Sequence, residues 1–382
     1  MAELLDVAHH RVSSSAISID LARNFPPPGP LIRNRLALAF DGLERADIAG
    51  AIRFPRFNGT VRDRSAAAGW VARRLRAAPD QERIILSNGT QSTLLMLLAS
   101  LVQPGNILLT EELTYAAMKP ISSLLGIKLS PIKMDHEGVI PDVLDDACIK
   151  LGSEVRALYC MPTLHNPTAA TMSVERRTAV AEIARRHNLW IFEDDIYGVL
   201  PEIAPPPLQT FAPERTWYVF GLSKSLAAQL RVAYTVAPTE GMAREVFWPG
   251  VKTTNWMVAP LIAEIATLWL EQSAVEPLLE SVRRETNARQ DILRNSLPSW
   301  TIRVPPFCYH VWLELPEDLS AKDFELAARR RGVSITTGDS FSPTSGGFSA
   351  RFRIGIGSPS DHQSLRAGLG ILNDIRGELA ST

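Results

Sequence analysis

The sequence predicts an α/β protein with a large domain built around a mainly parallel sheet and a smaller α+β domain. From about residue 60, short apolar segments alternate with helical segments, a pattern typical of an open parallel sheet. After about residue 274, a long charged amphipathic helix is followed by strands and helices in mixed order. A chain of 382 residues is long enough for two such domains.

The large domain is expected over residues 46–279. Helices are predicted at 91–101 and 174–187, where apolar residues recur with helical spacing. The strand candidates are short apolar runs, at 83–86, 106–110, 157–161, 190–193, 217–220 and 231–236.

The small domain is expected over residues 1–45 and 280–382, so that it draws on both ends of the chain. Segment 17–25 is predicted to add a strand to it. The proline-rich FPPPGP follows, which neither a helix interior nor a strand ladder accommodates. The remaining elements are a helix at 274–294, strands at 309–314, 334–336 and 352–356, and helices at 322–330 and 361–375.

The composition argues against several classes of protein. Charged residues make up 21% of the chain and balance to a net charge of −1 with no basic stripe, so we expect no nucleic-acid partner. The three cysteines, Cys148, Cys160 and Cys308, lack the CxxC spacing of zinc sites and are an odd number. The sequence shows neither a signal pattern nor an apolar run long enough to span a bilayer. We therefore expect a cytoplasmic protein with no metal and no membrane partner.

Ligands of open α/β sheets bind beyond the carboxyl ends of the strands, where three polar motifs occur first. Thr90 and Gln91 open an apolar helix whose N-terminus favours a phosphate, although an ordinary N-cap has the same sequence. Tyr115 follows the next strand and could stack on a flat ligand, or be an ordinary core or surface tyrosine. Asn166, in LHNPT, could donate a hydrogen bond to a ligand oxygen or simply form an Asn-Pro turn.

Two further strands end in charged groups. Glu193, Asp194 and Asp195 would be costly at a strand end unless they pair with a metal or another cation. Histidines that would support a metal site are missing nearby, whereas a protonated pyridine nitrogen would satisfy the charge directly. Lys224, in GLSKS, precedes Arg231 by seven residues, and a lysine among cations can act as an amine nucleophile. A Ser-Lys pair alone has no specificity.

Taken in this order, the five motifs resemble those of fold type I enzymes that use pyridoxal 5′-phosphate (PLP), in particular the class I and II aminotransferases. The resemblance extends from about residue 20 to about residue 372. It is closest to the aminotransferase-like domain of MocR-type regulators and to aminoadipate and aromatic aminotransferases. The segments that resemble them are IDLARNFPPPG, LHNPTAATMSVERR, EDDIYGVL, SKSLAAQLRVAYTVAP and FRIGIGSP.

The resemblance implies a role for each matched residue at the cofactor. Lys224 would hold PLP as a Schiff base and move protons, and Asp194 would pair with the ring nitrogen. Tyr197 and Asn166 would contact the phenolic oxygen, while Tyr115 would stack on the ring. Together with Lys224 and Asp194, Tyr197 makes up the expected catalytic set. The phosphate would be held by Thr90, Gln91, Ser223 and Arg231.

For the substrate, the resemblance implies contacts with Arg353, Asn24 and Asn166. The guanidinium of Arg353 would bind the α-carboxylate with two parallel hydrogen bonds. The reaction would be the transfer of an amino group between an α-amino acid and a 2-oxo acid. The family also implies a homodimer with active sites shared at the subunit interface.

Several positions depart from the family pattern. Gly221 replaces a serine that contacts the phosphate, and Phe54 replaces a tyrosine that the partner subunit supplies, so two hydroxyl groups are lost. Phe307 and Cys308 replace a Gly-Gly pair and are expected to narrow the substrate pocket. The other departures are Asn24 in place of a small residue, Ala169 in place of a glycine, and Ala228-Gln229 in place of Pro-Gly. They bear on the substrate and the reaction more than on the cofactor.

Three alternatives to an aminotransferase remain open at this point. One is another PLP-dependent reaction on an amino acid, such as decarboxylation, elimination or oxidation. Another is a non-catalytic module that binds PLP or an amino acid, and the third is a metal-dependent hydrolase built on Glu193, Asp194 and Asp195. Only about twenty residues precede the aminotransferase-like region, too few for the DNA-binding domain of a MocR-type regulator. We therefore expect a free-standing enzyme.

Overall fold

The structure is a computed structural model that describes residues 19–28, 43, 53–228, 230–254, 257–272, 274–316, 318–344 and 346–379. Its largest sheet has seven strands in the order β2-β10-β9-β8-β7-β3-β4. Strand β10 is antiparallel to both of its neighbours, and the other neighbouring pairs are parallel. The strands are Ile84–Ser87 (β2), Ile107–Glu111 (β3), Lys128–Ile132 (β4), Val155–Cys160 (β7), Trp190–Asp194 (β8), Thr216–Gly221 (β9) and Ala233–Val236 (β10).

Because six of these strands run in one direction, their carboxyl ends meet at one edge of the sheet. Alternate residues of a strand point to opposite faces, so neighbouring residues enter different core clusters. Leu108 of β3 packs in the larger cluster and Leu109 in the smaller one, as do Tyr159 and Leu158 of β7. Both faces of the sheet are therefore covered, which explains why the strands are continuous apolar runs.

Helices connect these strands and pack on the two faces. The first begins at Thr60, whose side chain accepts a hydrogen bond from the backbone N–H of Asp63 while the Asp63 carboxylate accepts one from Thr60, a capping box. The helices of this part are Val61–Leu75 (α1), Thr90–Leu97 (α2), Met118–Leu124 (α3), Pro141–Leu151 (α4), Val174–Arg186 (α5), Leu208–Phe211 (α6), Glu240–Thr254 (α7) and Pro260–Glu271 (α8). Helix α2 continues into a π-helical turn at Leu98–Val102.

The C-terminal part combines helices with a three-stranded antiparallel sheet of order β11-β14-β13. The N-terminal strand β1 joins this part, because Ile19 pairs with Val333 of strand β12 in parallel orientation. The elements are Ile19–Asp20 (β1), His310–Glu314 (β11), Val333–Ser334 (β12), Thr336–Thr337 (β13), Arg351–Gly355 (β14), Val275–Ser296 (α9), Ala321–Arg330 (α10) and His362–Leu379 (α11). A small hairpin, Met134–Asp135 (β5) with Gly138–Val139 (β6), lies in the large part.

The six predicted strands of the large sheet are confirmed, with ends displaced by one or two residues. Strand β4 was not predicted, since its sequence KLSPI contains Pro131, which is tolerated in β4 because this is an edge strand. The single strand expected at 334–336 is wrong: it is two short strands in different sheets, separated by Ile335.

The predicted division into domains stays a prediction. Its first boundary, at residue 45, lies outside the described residues, and its second, at residue 279, falls within α9. Of the segment 17–25, the described residues form a strand only at Ile19–Asp20. The Asp20 carboxylate then accepts hydrogen bonds from the backbone N–H groups of Ala22 and Arg23, which turns the chain away from β12.

Candidate active site

A cavity of about 220 Å³ opens at the carboxyl edge of the large sheet. Every residue predicted to hold the cofactor lines it, and the structure brings these residues together from five separate strand ends. Asn24 and Arg353 are not lining residues but contact two that are, Tyr197 and Asn166. The lining residues are Phe25, Thr90, Gln91, Tyr115, Met161, Asn166, Asp194, Ile196, Tyr197, Ser223, Lys224, Ala228 and Arg231.

One end of the cavity is suited to a phosphate. Gly89, with φ +84°, leads from β2 into α2, and a Cβ atom there would lie 3.2 Å from an Nη atom of Arg231. Glycine therefore lets the Arg231 guanidinium approach the N-terminus of α2, where the first backbone N–H groups of a helix lack helical partners. Thr90 and Gln91 begin that helix, and Ser223 lies in the same lining.

The departure at Gly221 has a steric explanation. A Cβ atom at this position would lie 3.3 Å from Cγ2 of Thr90, closer than ordinary van der Waals contact. A serine would therefore press on the threonine that begins α2. The loss of the family's serine hydroxyl thus accompanies a threonine at the start of α2.

The three carboxyl groups that end β8 have different surroundings. Glu193 accepts hydrogen bonds from the backbone N–H groups of Leu208 (2.7 Å) and Gln209 (2.9 Å). Asp195 accepts them from Arg74 Nε (2.9 Å) and from the Tyr218 hydroxyl (2.7 Å).

These separate partners leave no shared metal position between the two carboxylates. Among the described residues, no group of three His, Cys, Asp or Glu side chains could hold a metal ion. The hydrolase alternative therefore has no structural support in the described part of the chain.

Asp194 is the carboxyl group that lines the cavity. Its Oδ2 accepts a hydrogen bond from the Tyr159 hydroxyl (3.1 Å), while its Oδ1 is buried without a well-aligned partner among the described residues. Burial raises the pKa of Asp194 to about 7, against the opposing hydrogen bond from Tyr159. A buried carboxyl group on a cavity, with one oxygen that lacks a well-aligned partner, fits a cationic ligand group such as a protonated pyridine nitrogen.

Lys224 follows β9 and extends its amine into the cavity. The Nζ atom donates a hydrogen bond to the backbone oxygen of Asn24, and the Tyr309 hydroxyl donates one to the backbone oxygen of Lys224 (2.8 Å). Burial, followed by the charges of Arg353 and Arg231, lowers the pKa of Lys224 to about 8. A substantial fraction of the amine is therefore neutral and nucleophilic near pH 8.

Arg353 lies on β14 and is only 7% exposed. Its Nη1 donates to Asn166 Oδ1 (2.9 Å), and its Nη2 donates to the backbone oxygen of Ala22. The Nε atom is buried without a hydrogen-bond partner among the described residues. The guanidinium also lies over the Phe341 ring, 5.0 Å from its centroid, which orients the group for a planar acceptor.

Two groups in the site were missed by the sequence reasoning. Tyr159, which bonds Asp194, lies inside β7 and reaches the site because β7 and β8 are neighbours in register. His310 Nε2 donates a hydrogen bond to the backbone oxygen of His165 (3.0 Å), and the imidazole packs on Tyr197 at 5.0 Å between ring centroids. Neither has a local sequence signal, since both depend on contacts between distant segments.

The other departures have mixed outcomes. Cys308 is fully buried, the Phe307 ring lies 5.6 Å from the Arg283 guanidinium, and neither residue lines the cavity, so the expected narrowing of the substrate pocket stays a prediction. Ala169 has φ +61°, a conformation that favours glycine, so the family's glycine at this position has a backbone reason. Gln229 lies outside the described residues.

Comparison with known proteins supports this geometry. The profile described as "Aminotransferase class I and II" matches residues 17–369, almost the whole chain. The chain belongs to this family. The predicted family, the type I fold and the PLP cofactor are thereby confirmed, and the membership supports the predicted PLP-dependent aminotransferase.

The relatives include both enzymes and regulators. The chain is 32% identical over 298 residues to YdeF of Bacillus subtilis, described as an uncharacterized HTH-type transcriptional regulator, covering 78% of this chain and 64% of that protein. It covers 56% and 54% of two further regulators of that organism, YdfD and YisV. The chain thus spans between about one half and two thirds of the length of these three regulators. Aromatic-amino-acid aminotransferase 1 of Thermococcus litoralis is 26% identical over 77% of this chain and 72% of its own length.

Among solved structures, an archaeal alanine:glyoxylate aminotransferase superposes with a TM-score of 0.86 at 24% identity, covering 99% of this chain and 95% of that one. A likeness at this identity establishes the fold.

In the part of the chain that the structure describes, no helix is both long and apolar enough to cross a bilayer.

Proposed function

We propose that this chain transfers amino groups between α-amino acids and 2-oxo acids, with PLP held at Lys224. The observation that carries the proposal is a cavity lined by a carboxyl oxygen without a well-aligned partner and by an amine of lowered pKa, with a buried guanidinium hydrogen-bonded to a third lining residue, Asn166. Asp194, Lys224 and Arg353 provide these three groups. A cofactor cation, a carbonyl and a substrate carboxylate are their respective complements.

The residues present fit the cofactor at both of its ends. Thr90, Gln91, Ser223 and Arg231 would hold the phosphate, and Asp194 would pair with the ring nitrogen. When bound, PLP supplies an electron sink for the negative charge that develops at the substrate Cα. The raised pKa of Asp194, about 7 through burial, would fall once a cationic nitrogen lies beside it, because an opposite charge favours the carboxylate. Asn166 and Tyr197 would contact the phenolic oxygen, and Tyr115, held by Gln91 at 2.7 Å, would cover the ring.

Lys224 has two roles in the proposed reaction. Its neutral amine, favoured by the pKa of about 8, would bind the cofactor carbonyl. Once a substrate amine has taken its place, the freed amine would remove the proton from the substrate Cα and deliver it to the adjacent cofactor carbon. Arg353 would fix the α-carboxylate during this transfer, so that the Cα proton faces Lys224.

The assignment is tested by trapping and by turnover. Borohydride reduction of the PLP-loaded protein followed by peptide mapping should place the pyridoxyl group on Lys224. A screen of amino donors against 2-oxoglutarate and pyruvate should then reveal at least one pair that exchanges amino groups. Labelling of a different lysine would overturn the assignment of the site.

The similarity to HTH-type regulators favours a second candidate, a module that binds PLP and an amino acid without turnover. Single-turnover spectroscopy separates the two candidates. An enzyme converts bound PLP to the amine form when an amino acid is added, whereas a sensing module shows a spectral change that reverses on dialysis. Another PLP-dependent reaction would give a product other than the 2-oxo acid.

The wider setting belongs to the same proposal. We propose a large domain over residues 46–279 and a small one over 1–45 and 280–382. We also propose a cytoplasmic homodimer with shared active sites and no nucleic-acid partner. The ring of Phe54 is 62% exposed in the single chain, which supports its burial against a second subunit. Analytical ultracentrifugation of the PLP-loaded protein should show a dimer, and a monomer at micromolar concentration would contradict it.

A further inference from the structure

Asn24 contacts the active site through both its side chain and its backbone. The residue is only 7% exposed, and its Nδ2 donates a hydrogen bond to the Tyr197 hydroxyl at 2.8 Å. Its backbone oxygen accepts a hydrogen bond from Lys224 Nζ. Its Oδ1 is buried without a partner among the described residues. One asparagine therefore touches two groups that the proposed function places at the cofactor.

The segment that holds Asn24 is fixed on the C-terminal sheet. The Gly355 N–H donates to the Leu21 oxygen (2.8 Å), and the Ser358 hydroxyl donates to the Arg23 oxygen (2.6 Å). A Cβ atom on Gly355 would clash with the Arg23 carbonyl, so glycine permits this close approach. The side chain of Asn24 is thus aimed at Tyr197 by a backbone held on both sides.

The orientation of the Asn24 amide determines the direction of the Tyr197 hydrogen bond. With Nδ2 as donor, the Tyr197 oxygen accepts, and the hydroxyl proton remains available. In the opposite orientation, the Tyr197 hydroxyl would donate to Oδ1, and Nδ2 with its two N–H groups would occupy the buried position where Oδ1 now lacks a partner. Leaving one acceptor unpaired is less costly than leaving two donors unpaired, so the first orientation is favoured.

The available proton of Tyr197 can point into the cavity, because Tyr197 is one of the lining residues. The ring is fixed by an edge contact with Tyr309 at 6.1 Å and a tilted contact with His310 at 5.0 Å between centroids. Burial raises the pKa of Tyr197 well above its ordinary value, so the hydroxyl keeps its proton throughout the working pH range.

We propose that Asn24 is a positioning residue that turns the Tyr197 hydroxyl proton toward the cavity, where it is donated to the ring oxygen of PLP. This inference rests on the proposed function, because the acceptor belongs to the cofactor. A donated hydrogen bond withdraws charge from that oxygen, which then holds the proton of the neighbouring Schiff base less tightly. The side chain of Asn24 therefore acts on the cofactor through Tyr197, whereas its backbone oxygen contacts Lys224 Nζ.

The first experiment is a pH titration of the Schiff-base absorbance in the PLP-loaded protein. Asn24→Ala removes the amide, and Asn24→Asp replaces its donor by an acceptor of the same shape, which captures the Tyr197 proton. We expect the midpoint to rise by roughly half a pH unit in Asn24→Ala and by more in Asn24→Asp. Arg23→Gln, on the same segment with a side chain that is 69% exposed, is the matched control and should leave the midpoint unchanged.

A double-mutant cycle shows whether Asn24 acts through Tyr197. In a Tyr197→Phe background, Asn24→Ala should produce no further shift of the midpoint. A shift of the same size with and without the Tyr197 hydroxyl overturns the inference, as does an unchanged midpoint in Asn24→Ala.

A second measurement is independent of the cofactor. In unliganded protein labelled at the tyrosine Cζ carbon, the Tyr197 NMR signal, assigned with Tyr197→Phe, should move in Asn24→Ala and move further in the same direction in Asn24→Asp. A Tyr197 signal that both Asn24 variants leave in place shows that the contact does not orient the hydroxyl. If the Asn24 variants move this signal but the wild-type protein forms no Schiff base with PLP, the proposed function is contradicted instead, and with it the ring oxygen as acceptor of the Tyr197 proton.

Discussion

Replacing Asp194 by asparagine should stabilise the unliganded protein while weakening its hold on PLP. Burial raises the pKa of Asp194 from 3.8 to about 7. The folded state therefore keeps a proton that the unfolded chain has already lost between pH 4 and 7. Stability contributed by this proton is complete below pH 4 and is lost as the pH rises through 7. Asparagine retains an oxygen acceptor for the Tyr159 hydroxyl but has no proton to lose.

The size of the effect follows from the pKa difference. The gap between 3.8 and about 7 corresponds to about 4 kcal/mol in the free energy of unfolding above pH 7. The advantage of Asp194→Asn over wild type should therefore grow from near zero at pH 4 toward that figure at pH 8. Glu193, whose pKa burial also raises to about 7, is present in both proteins and cancels in the comparison.

The assay is urea unfolding of the PLP-free proteins at pH 5 and pH 8, followed by PLP titration at pH 8. Asp195→Asn is the matched control, because its carboxylate is paired with Arg74 and Tyr218. Loss of that buried pairing should destabilise the control by about 3–5 kcal/mol, with a smaller loss of transaminase activity than in Asp194→Asn. A stability difference between wild type and Asp194→Asn that is equal at the two pH values refutes the reasoning. A greater loss of activity in Asp195→Asn would assign the cofactor contact to the neighbouring carboxyl group.

Three further results are expected. Lys224→Ala should abolish the Schiff-base absorbance and leave the circular dichroism spectrum unchanged, and persistence of the absorbance would place the cofactor elsewhere. Arg353→Ala should keep the colour of bound PLP but raise the KM for amino acids by roughly 10- to 100-fold, since a charged hydrogen-bond partner is lost, and Arg353→Lys should restore little of it. Gly221→Ser should lower the free energy of unfolding by about 1 kcal/mol because the new Cβ atom presses on Thr90, and the additional change Thr90→Ser should relieve this in urea unfolding if the 3.3 Å contact is the cause.

The sequence predicts the large sheet well because its strands are buried on both faces. After the exposed Arg156, β7 continues as a fully buried run, and β8 is buried after its first residue, so apolar runs mark both strands in the sequence. The cofactor-lining residues could be located because each follows a strand, and parallel strands bring their carboxyl ends to one edge. Contacts in the structure show which of the two aspartates faces the cavity. The Asp195 carboxylate accepts a hydrogen bond from Arg74, whereas Asp194 lines the cavity.

What the sequence could not predict depends on contacts between distant segments. The hydroxyl of Tyr159 reaches Asp194 only through the pairing of two strands. The contact between Asn24 and Tyr197 joins residues 173 positions apart. The strand β4 was missed because edge strands tolerate proline, and the break at Ile335 separates two strands whose partners lie at opposite ends of the chain.

The pairing of β1 with β12 has a consequence for the lifetime of the protein. It closes the chain into a loop, so that residues near position 24 and position 353 meet around the same cavity. A cofactor that contacts groups from so many segments binds the folded chain and not the unfolded chain. Its binding therefore shifts the folding equilibrium toward the folded state. At a free concentration one hundred times its dissociation constant, this linkage amounts to about 2.7 kcal/mol. The supply of PLP would then determine how many molecules stay folded and escape proteolysis, as well as how many are active.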